Sequence, residues 1–223
     1  MRLRIPGHEV SLSRQLVAAT VMLSLAFVAS AAQGAIVPVL NPSFESPTTS
    51  FFSTGTITDW TLSAPFNQGV FQPASFPSAG MGTTNGTQTA FLNSGFISQT
   101  LPSTLTVNNA YTLRVDVGDR ADIAFPGYAV QLFAGSTLLA QESSLVPNNG
   151  FLTSTVFFVA LPGNPNLGQQ LQIRLVSNGI QVNFDNVRLD AIDITVPLPA
   201  SAAIWGVGAL GLALAARRRK KAA

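Results

Sequence analysis

Tyr111-Thr112-Leu113-Arg114-Val115-Asp116-Val117 alternates residue by residue, with Tyr111, Leu113, Val115 and Val117 on one side and Thr112, Arg114 and Asp116 on the other. A period of two is the mark of a β-strand with one buried face. The pattern recurs in Leu171–Leu175, where Leu171, Ile173 and Leu175 alternate with Gln172 and Arg174. Further strands are expected near Ile57–Leu62, Thr89–Leu92, Phe96–Leu101, Tyr128–Phe133, Thr137–Gln141 and Phe151–Val159. Gly, Pro, Ser, Thr and Asn separate these runs, and no stretch sustains a helical period. Ile36 to Thr195 spans 160 residues, enough for one domain with its own core. About nine to eleven short strands in that length predict an all-β domain, a two-sheet jelly-roll sandwich.

The last expected strand changes phase. Val182 and Phe184 share one parity, while Val187, Leu189 and Ala191 share the other. An alternation slips only where an extra residue enters the ladder, so a β-bulge is expected at Asp185-Asn186.

Both ends of the chain read as addresses. Arg2, Arg4 and Arg14 precede an apolar run of 13 residues, Leu16 to Val28. Ala29-Ser30-Ala31 then offers a small-x-small cleavage site, with a later option at Ala35, so residues 1–35 read as a secretory signal peptide. The alternative, an N-terminal anchor, needs a longer run of about 20 residues. At the other end, Val196-Pro197-Leu198-Pro199-Ala200 leads into the apolar run Ser201–Ala216 and then Arg217-Arg218-Arg219-Lys220-Lys221. As a helix, that run is roughly 24 Å long, a short single transmembrane segment whose cations stay on the cytoplasmic side. The tail at 196–223 resembles a PEP-CTERM sorting domain, with Leu198 standing where that family usually has Glu. The resemblance implies a Gram-negative bacterium and an exosortase-type transpeptidase acting near Val196, Pro197, Leu198 and Pro199. It further implies transient anchoring in the inner membrane, then delivery to the cell surface or extracellular matrix.

The formal net charge of +2 misrepresents the domain. Between Ile36 and Thr195 only Arg114, Arg120, Arg174 and Arg188 are basic, against nine carboxylates, a formal charge of −5. A nucleic-acid partner needs a basic footprint and is not expected. The chain has no Cys, and its one His, His8, lies in the expected signal peptide. A Ser-His-Asp triad, a Cys nucleophile and a His- or Cys-ligated zinc site are thereby excluded from the domain.

Val39-Leu40-Asn41-Pro42-Ser43-Phe44-Glu45 at the start of the domain, and Asn183-Phe184-Asp185-Asn186-Val187-Arg188-Leu189 at its end, resemble the first and last strands of galactose-binding-like jelly rolls, a group that includes many carbohydrate-binding modules. The resemblance implies a structural calcium ion between those strands, with Glu45 and Asp185 as side-chain ligands and Asn41 as a further candidate. The oxygen-rich set suits calcium. Glu45 and Asp185 read equally well as caps of backbone N–H groups beside turns.

Val117-Gly118-Asp119-Arg120, followed by Pro126-Gly127-Tyr128, resembles a subgroup found with PEP-CTERM tails. The loop combines charge with aromatic rings, so Asp119, Arg120, Asp122 and Tyr128 are candidate ligand residues; a solvated loop with Arg120 paired to an aspartate is the plain alternative. Trp60 either stacks on a sugar or fills the core. Asp116, Asp119, Asp122 and Asp185 supply the carboxylates a glycosidase would need, but sequence cannot set two of them across a cleft. These readings predict an exported, non-catalytic protein that binds polysaccharide or builds an exopolysaccharide matrix, not an enzyme. A small carboxylate-based secreted hydrolase acting on glycans is the alternative.

Overall fold

The computed structural model describes residues 34–195. The sorting tail from Val196 and nearly all of the expected signal peptide fall outside the described residues. Among those described, no helix is long and apolar enough to cross a membrane.

Twelve strands build two antiparallel sheets: β1 (Ala35–Val37), β2 (Phe52–Thr54), β3 (Thr61–Leu62), β4 (Gln68–Phe71), β5 (Thr89–Leu92), β6 (Gly95–Thr104), β7 (Asn109–Gly118), β8 (Tyr128–Ala134), β9 (Thr137–Glu142), β10 (Phe151–Val159), β11 (Gln170–Ser177) and β12 (Val182–Asp193). The larger sheet runs β10-β7-β12-β5-β4-β2, with β1 also on β12; the smaller runs β3-β6-β11-β8-β9. The protein is an all-β sandwich, as the alternation predicts. Tyr111, Leu113, Val115 and Val117 of β7 point inward, facing Leu171, Ile173 and Leu175 of β11 within one apolar core.

The bulge lies where the phase slip places it. β12 pairs with β7 along its length, but the register shifts between Asp185 and Arg188, and Asn186 takes φ of 52°. The shift keeps Val182 and Phe184 before it, and Val187, Leu189 and Ala191 after it, all on the core side. It also divides the other edge of β12. Val182–Phe184 pair with β5, and Leu189–Ala191 pair with β1.

Ile57–Leu62 is mostly a turn rather than the expected strand. Ile57 and Trp60 form an isolated bridge across Asp59 at φ 67°, and only Thr61–Leu62 joins a ladder. The first strand that the resemblance sets at Val39–Glu45 is instead a turn with Asn41 and Phe44 at positive φ, while β1, β2 and β4 were not expected. They have three or four residues each, and all four residues of β4 are buried, so no alternation marks them.

A polar latch joins the sheets where β9 and β10 meet. The hydroxyls of Tyr128, Ser144 and Ser154 all donate to the Glu142 carboxylate, as does the Ser144 amide. Burial disfavours the charged carboxylate, but these donors outweigh it and hold the Glu142 pKa down to about 2. The stability this adds is present above the ordinary glutamate pKa of about 4.3 and is lost as pH falls towards 2. Glu142→Gln should therefore be less stable than wild type at pH 7, and the difference should shrink between pH 5 and 2 in urea denaturation followed by circular dichroism.

Candidate active site

The outer face of the larger sheet carries the functional geometry. Val70 and Ala90 point into the main core, so their neighbours Phe71 and Phe91 point to the opposite face. There they are only 4% and 6% exposed. The segment between β4 and β5, built on short 3-10 turns at Pro73–Ser75 and Pro77–Ala79, folds over them. Phe76 on that segment sets its ring 6.3 Å from Phe71 and 5.6 Å from Phe51. Phe52 of β2 meets Phe91 edge-on at 6.3 Å. β2 can lie this close because position 69 is glycine: a Cβ there would fall 1.8 Å from the Ser53 carbonyl oxygen.

These rings bound a cleft of about 410 Å³. Phe71 and Phe91 form its floor, and Phe51, Phe52 and Phe66 its rim. Phe66 is 92% exposed, which is unusual for a phenyl ring outside a binding surface. The polar lining consists of Thr54, Asn93, Arg120 and Gln181. The Arg120 guanidinium sits 4.9 Å from the Phe76 ring centre and 5.5 Å from that of Phe71. It is fixed at both ends: Nε and Nη2 donate to Asp122 at 2.9 and 2.7 Å, and Nη1 donates to Gln181 Oε1 at 2.9 Å. These hydrogen bonds hold the Asp122 carboxyl below the usual carboxylate range, so Asp122 is ionised and offsets the arginine charge. Asn93 Oδ1 is buried with no partner among the described residues. No carboxylate, thiol or imidazole is among the lining residues.

The covering segment is held from below by two carboxylates. Asp185 Oδ2 accepts from the Thr84 amide, the Thr84 hydroxyl and the Asn85 amide at 2.8, 3.0 and 2.9 Å. Glu45 Oε1 accepts from the Thr87 and Gln88 amides, both at 2.8 Å, and Oε2 from the Thr87 hydroxyl at 2.9 Å. Burial is complete at Asp185 and pushes its pKa up to about 6, against the pull of those donors. Asp116, its cross-strand neighbour, has Arg188 at 3.0 Å. Asp185 itself has no cationic partner among the described residues.

The residues suggested as metal ligands therefore divide. Glu45 and Asp185 converge on one loop, and their oxygens Oε2 and Oδ1 each carry a single contact, leaving lone pairs for a cation. The amide of Asn41 is spent within its own turn, donating to the carbonyls of Ser46 and Thr58 and accepting from the Ser46 amide. No cluster of three or more His, Cys, Asp or Glu able to hold a metal occurs among the described residues. Any cation held by Glu45 and Asp185 would thus need carbonyl or water oxygens to complete its shell, ligands that calcium accepts.

The residues suggested as ligand contacts also divide. Arg120 lines the cleft, with Asp122 behind it. Trp60 is corrected from a candidate stacking platform to core: it is 6% exposed, packs 5.2 Å from Phe44, and donates its indole N–H to the Asn41 carbonyl. Tyr128 is likewise corrected, being 1% exposed and committed to the latch. Asp119 is buried rather than presented on a loop surface; burial pushes its pKa up, and its amide donates to the Gly150 carbonyl. The phenylalanines of the cleft and Gln181 escaped the sequence reading. The one signal was composition: six of the chain's fifteen Phe lie between residues 51 and 91, in a stretch without alternation.

The protein is thus an all-β sandwich with an aromatic cleft on one outer face and a fixed guanidinium at the wall of that cleft. The chain belongs to the HpiC1-like family, whose model, described as HpiC1 cyclase, matches residues 35–190. Among solved structures it is similar to the Stig cyclase Fisc from Fischerella sp. TAU in complex with (3Z)-3-(1-methyl-2-pyrrolidinylidene)-3H-indole, at 32% identity and TM-score 0.63, covering 71% of this chain and 98% of that one. It is also similar to the apo form of a cyclase from Fischerella sp., at 30% identity and TM-score 0.67, covering 74% and 100%. A third similar structure is a cyclase from Fischerella sp. TAU in complex with 4-(1H-Indol-3-yl)butan-2-one, at 30% identity and TM-score 0.65, covering 73% and 100%. No curated protein matches the chain. Membership of a cyclase family overturns the expectation of a non-catalytic matrix or polysaccharide-binding protein, and with it the alternative of a glycan hydrolase.

Proposed function

We propose that this protein is an enzyme of the cyclase type, which binds an apolar, aromatic-bearing small molecule in the phenylalanine cleft and folds it for ring closure. The observation that carries this reading is the cleft itself: six Phe rings around about 410 Å³ in a member of a cyclase family. Ring closure of an alkene onto an aromatic ring is an isomerisation. A π bond is spent, a C–C bond forms, and a proton is taken up and returned. Its intermediates carry positive charge on carbon, which phenyl faces stabilise and water would quench. The floor rings of Phe71 and Phe91 would provide those faces away from water, while the open rim at Phe52 and Phe66 admits the solvent that gives and takes back the proton. Arg120 would oppose a cation, but its pairing with Asp122 leaves that wall close to neutral. The lining residues bind, fold and shield the substrate; Gln181 and Asn93 offer it hydrogen bonds. The indole-bearing ligands of the Fischerella cyclases suggest the substrate class.

Calcium belongs to the same proposal. The buried Asp185 lacks a counter-charge, and a divalent cation shared with Glu45 would supply it while stiffening the segment that roofs the cleft. The two terminal segments support export: the signal peptide and the PEP-CTERM-like tail would take the domain across the inner membrane. An exosortase-type transpeptidase would then release it to the cell surface or the extracellular space.

In calorimetric titration, 4-(1H-indol-3-yl)butan-2-one should bind saturably, and Phe71→Ala or Phe91→Ala should weaken binding about tenfold or more, equivalent to about 1.4 kcal/mol. An alkenyl indole should yield a product of unchanged mass by chromatography and mass spectrometry; no binding and no isomer would reject the cyclase reading. For calcium, wild type should melt at a lower temperature in EDTA than in millimolar calcium, with no such difference in Asp185→Ala. For sorting, mass spectrometry of the protein recovered from the cell surface should find a C-terminus near Pro199; a tail intact through Ala223 would contradict release.

A further inference from the structure

We infer that Arg174 forms a second binding site, for an oxyanion, on the outer face of the smaller sheet, on the opposite side of the sandwich from the cleft. Its ligand class is a carboxylate, phosphate or sulfate group.

The domain holds four arginines among nine carboxylates. Three of the four are paired: Arg114 with Asp190 at 2.9 Å, Arg120 with Asp122 at 2.7 Å and Arg188 with Asp116 at 3.0 Å. Arg174 alone has no carboxylate partner among the described residues, in a domain with acids to spare. It sits at the middle of β11, the central strand of its sheet. Its guanidinium is clamped between two rings, 4.3 Å from the centre of Phe96 and 4.4 Å from that of Phe133. Phe96 stands on β6 opposite Val176, and Phe133 on β8 opposite Gln172, so each ring reaches Arg174 diagonally from a neighbouring strand. Its one protein hydrogen bond runs from Nη2 to Gln172 Oε1, at 3.3 Å, and Nε is buried with no acceptor.

With Phe96 and Phe133 against the guanidinium and Nε enclosed, the Nη1–Nη2 edge is what a ligand can reach. That edge is a rigid fork of N–H donors, the geometry that oxyanions fit, and the rings have already removed the side-chain freedom that binding would otherwise cost. The direct cross-strand neighbours on the same face are Ser98 and Gln131, which add neutral polar groups and no competing negative charge. The clamp leaves one unmet cation on a surface otherwise short of charge, which an incoming anion would neutralise.

The test is titration of the purified protein with acetate, phosphate and sulfate at constant ionic strength, followed by the Nε–H resonances of its arginines. Arg174 should shift saturably, while Arg114 and Arg188, already paired, should move little. Acetate binding more tightly than phosphate identifies a carboxylate ligand; the reverse order identifies a tetrahedral one. Arg174→Gln should reduce affinity at least about tenfold, and Phe133→Leu, which keeps the charge but opens the clamp, should reduce it by a smaller factor. Unchanged melting of Phe133→Leu will show that its fold persists. A shift of Arg174 that does not saturate with any of the three anions, or equal shifts at Arg114 and Arg188, would overturn the inference.

Discussion

Two carboxylates, one fully buried and one half-buried, hold the roof of the cleft in place. Asp185 and Glu45 accept the amide hydrogens of Thr84, Asn85, Thr87 and Gln88, four donors that a loop crossing an apolar surface would otherwise leave unmet. Without those acceptors the segment from Pro73 to Gln88 could not lie over the outer face of β4 and β5. Phe71 and Phe91 would then be open to water on a sheet already buried on its other side. Asp185 faces this loop by ordinary alternation from core-facing Phe184, and the bulge that follows at Asp185-Asn186 lets β12 return Val187 and Leu189 to the core. One strand therefore links the sandwich core to the shape of the cleft.

The long strands were legible because each has one wet and one dry face. Tyr111–Val117 and Leu171–Leu175 alternate for this reason, and the phase slip in the last strand located the bulge from parity alone. β2 and β4 left no such trace. Every residue of β4 is buried, Val70 beneath the sheet and Phe71 above it, so the strand has no polar side. The cleft was illegible for a related reason. Its rings come from β2, β4, β5 and the segment between them, and only the ladder Phe52–Phe71 and Gly69–Phe91 brings them together. The carboxylates of the motif resembling galactose-binding jelly rolls were found, but their attachment to residues 84–88 depends on a loop whose path nothing local dictates.

The absence of His and Cys from the domain argued against triads and thiol chemistry, and it led to a non-catalytic expectation that family membership corrects. The exclusion covered only chemistry performed by a named nucleophile or imidazole. The aromatic cleft is spread over phenylalanines indistinguishable, one at a time, from core residues. Arg120 illustrates the limit. Its sequence context suggested an exposed ion pair, whereas its side chain is 11% exposed and stacked on two of the rings.

The placement of the four arginines bears on how the domain survives outside the cell, if it is exported. With no lysine between residues 36 and 195, a trypsin-like protease can cut only after an arginine. Three of them, Arg114, Arg174 and Arg188, lie within ladder-paired β7, β11 and β12, and the fourth is pinned by Asp122 and Gln181. Cleavage needs several residues of free, extended chain, so the folded sandwich presents such an enzyme with no ready bond, and its lifetime there is set by how often it opens.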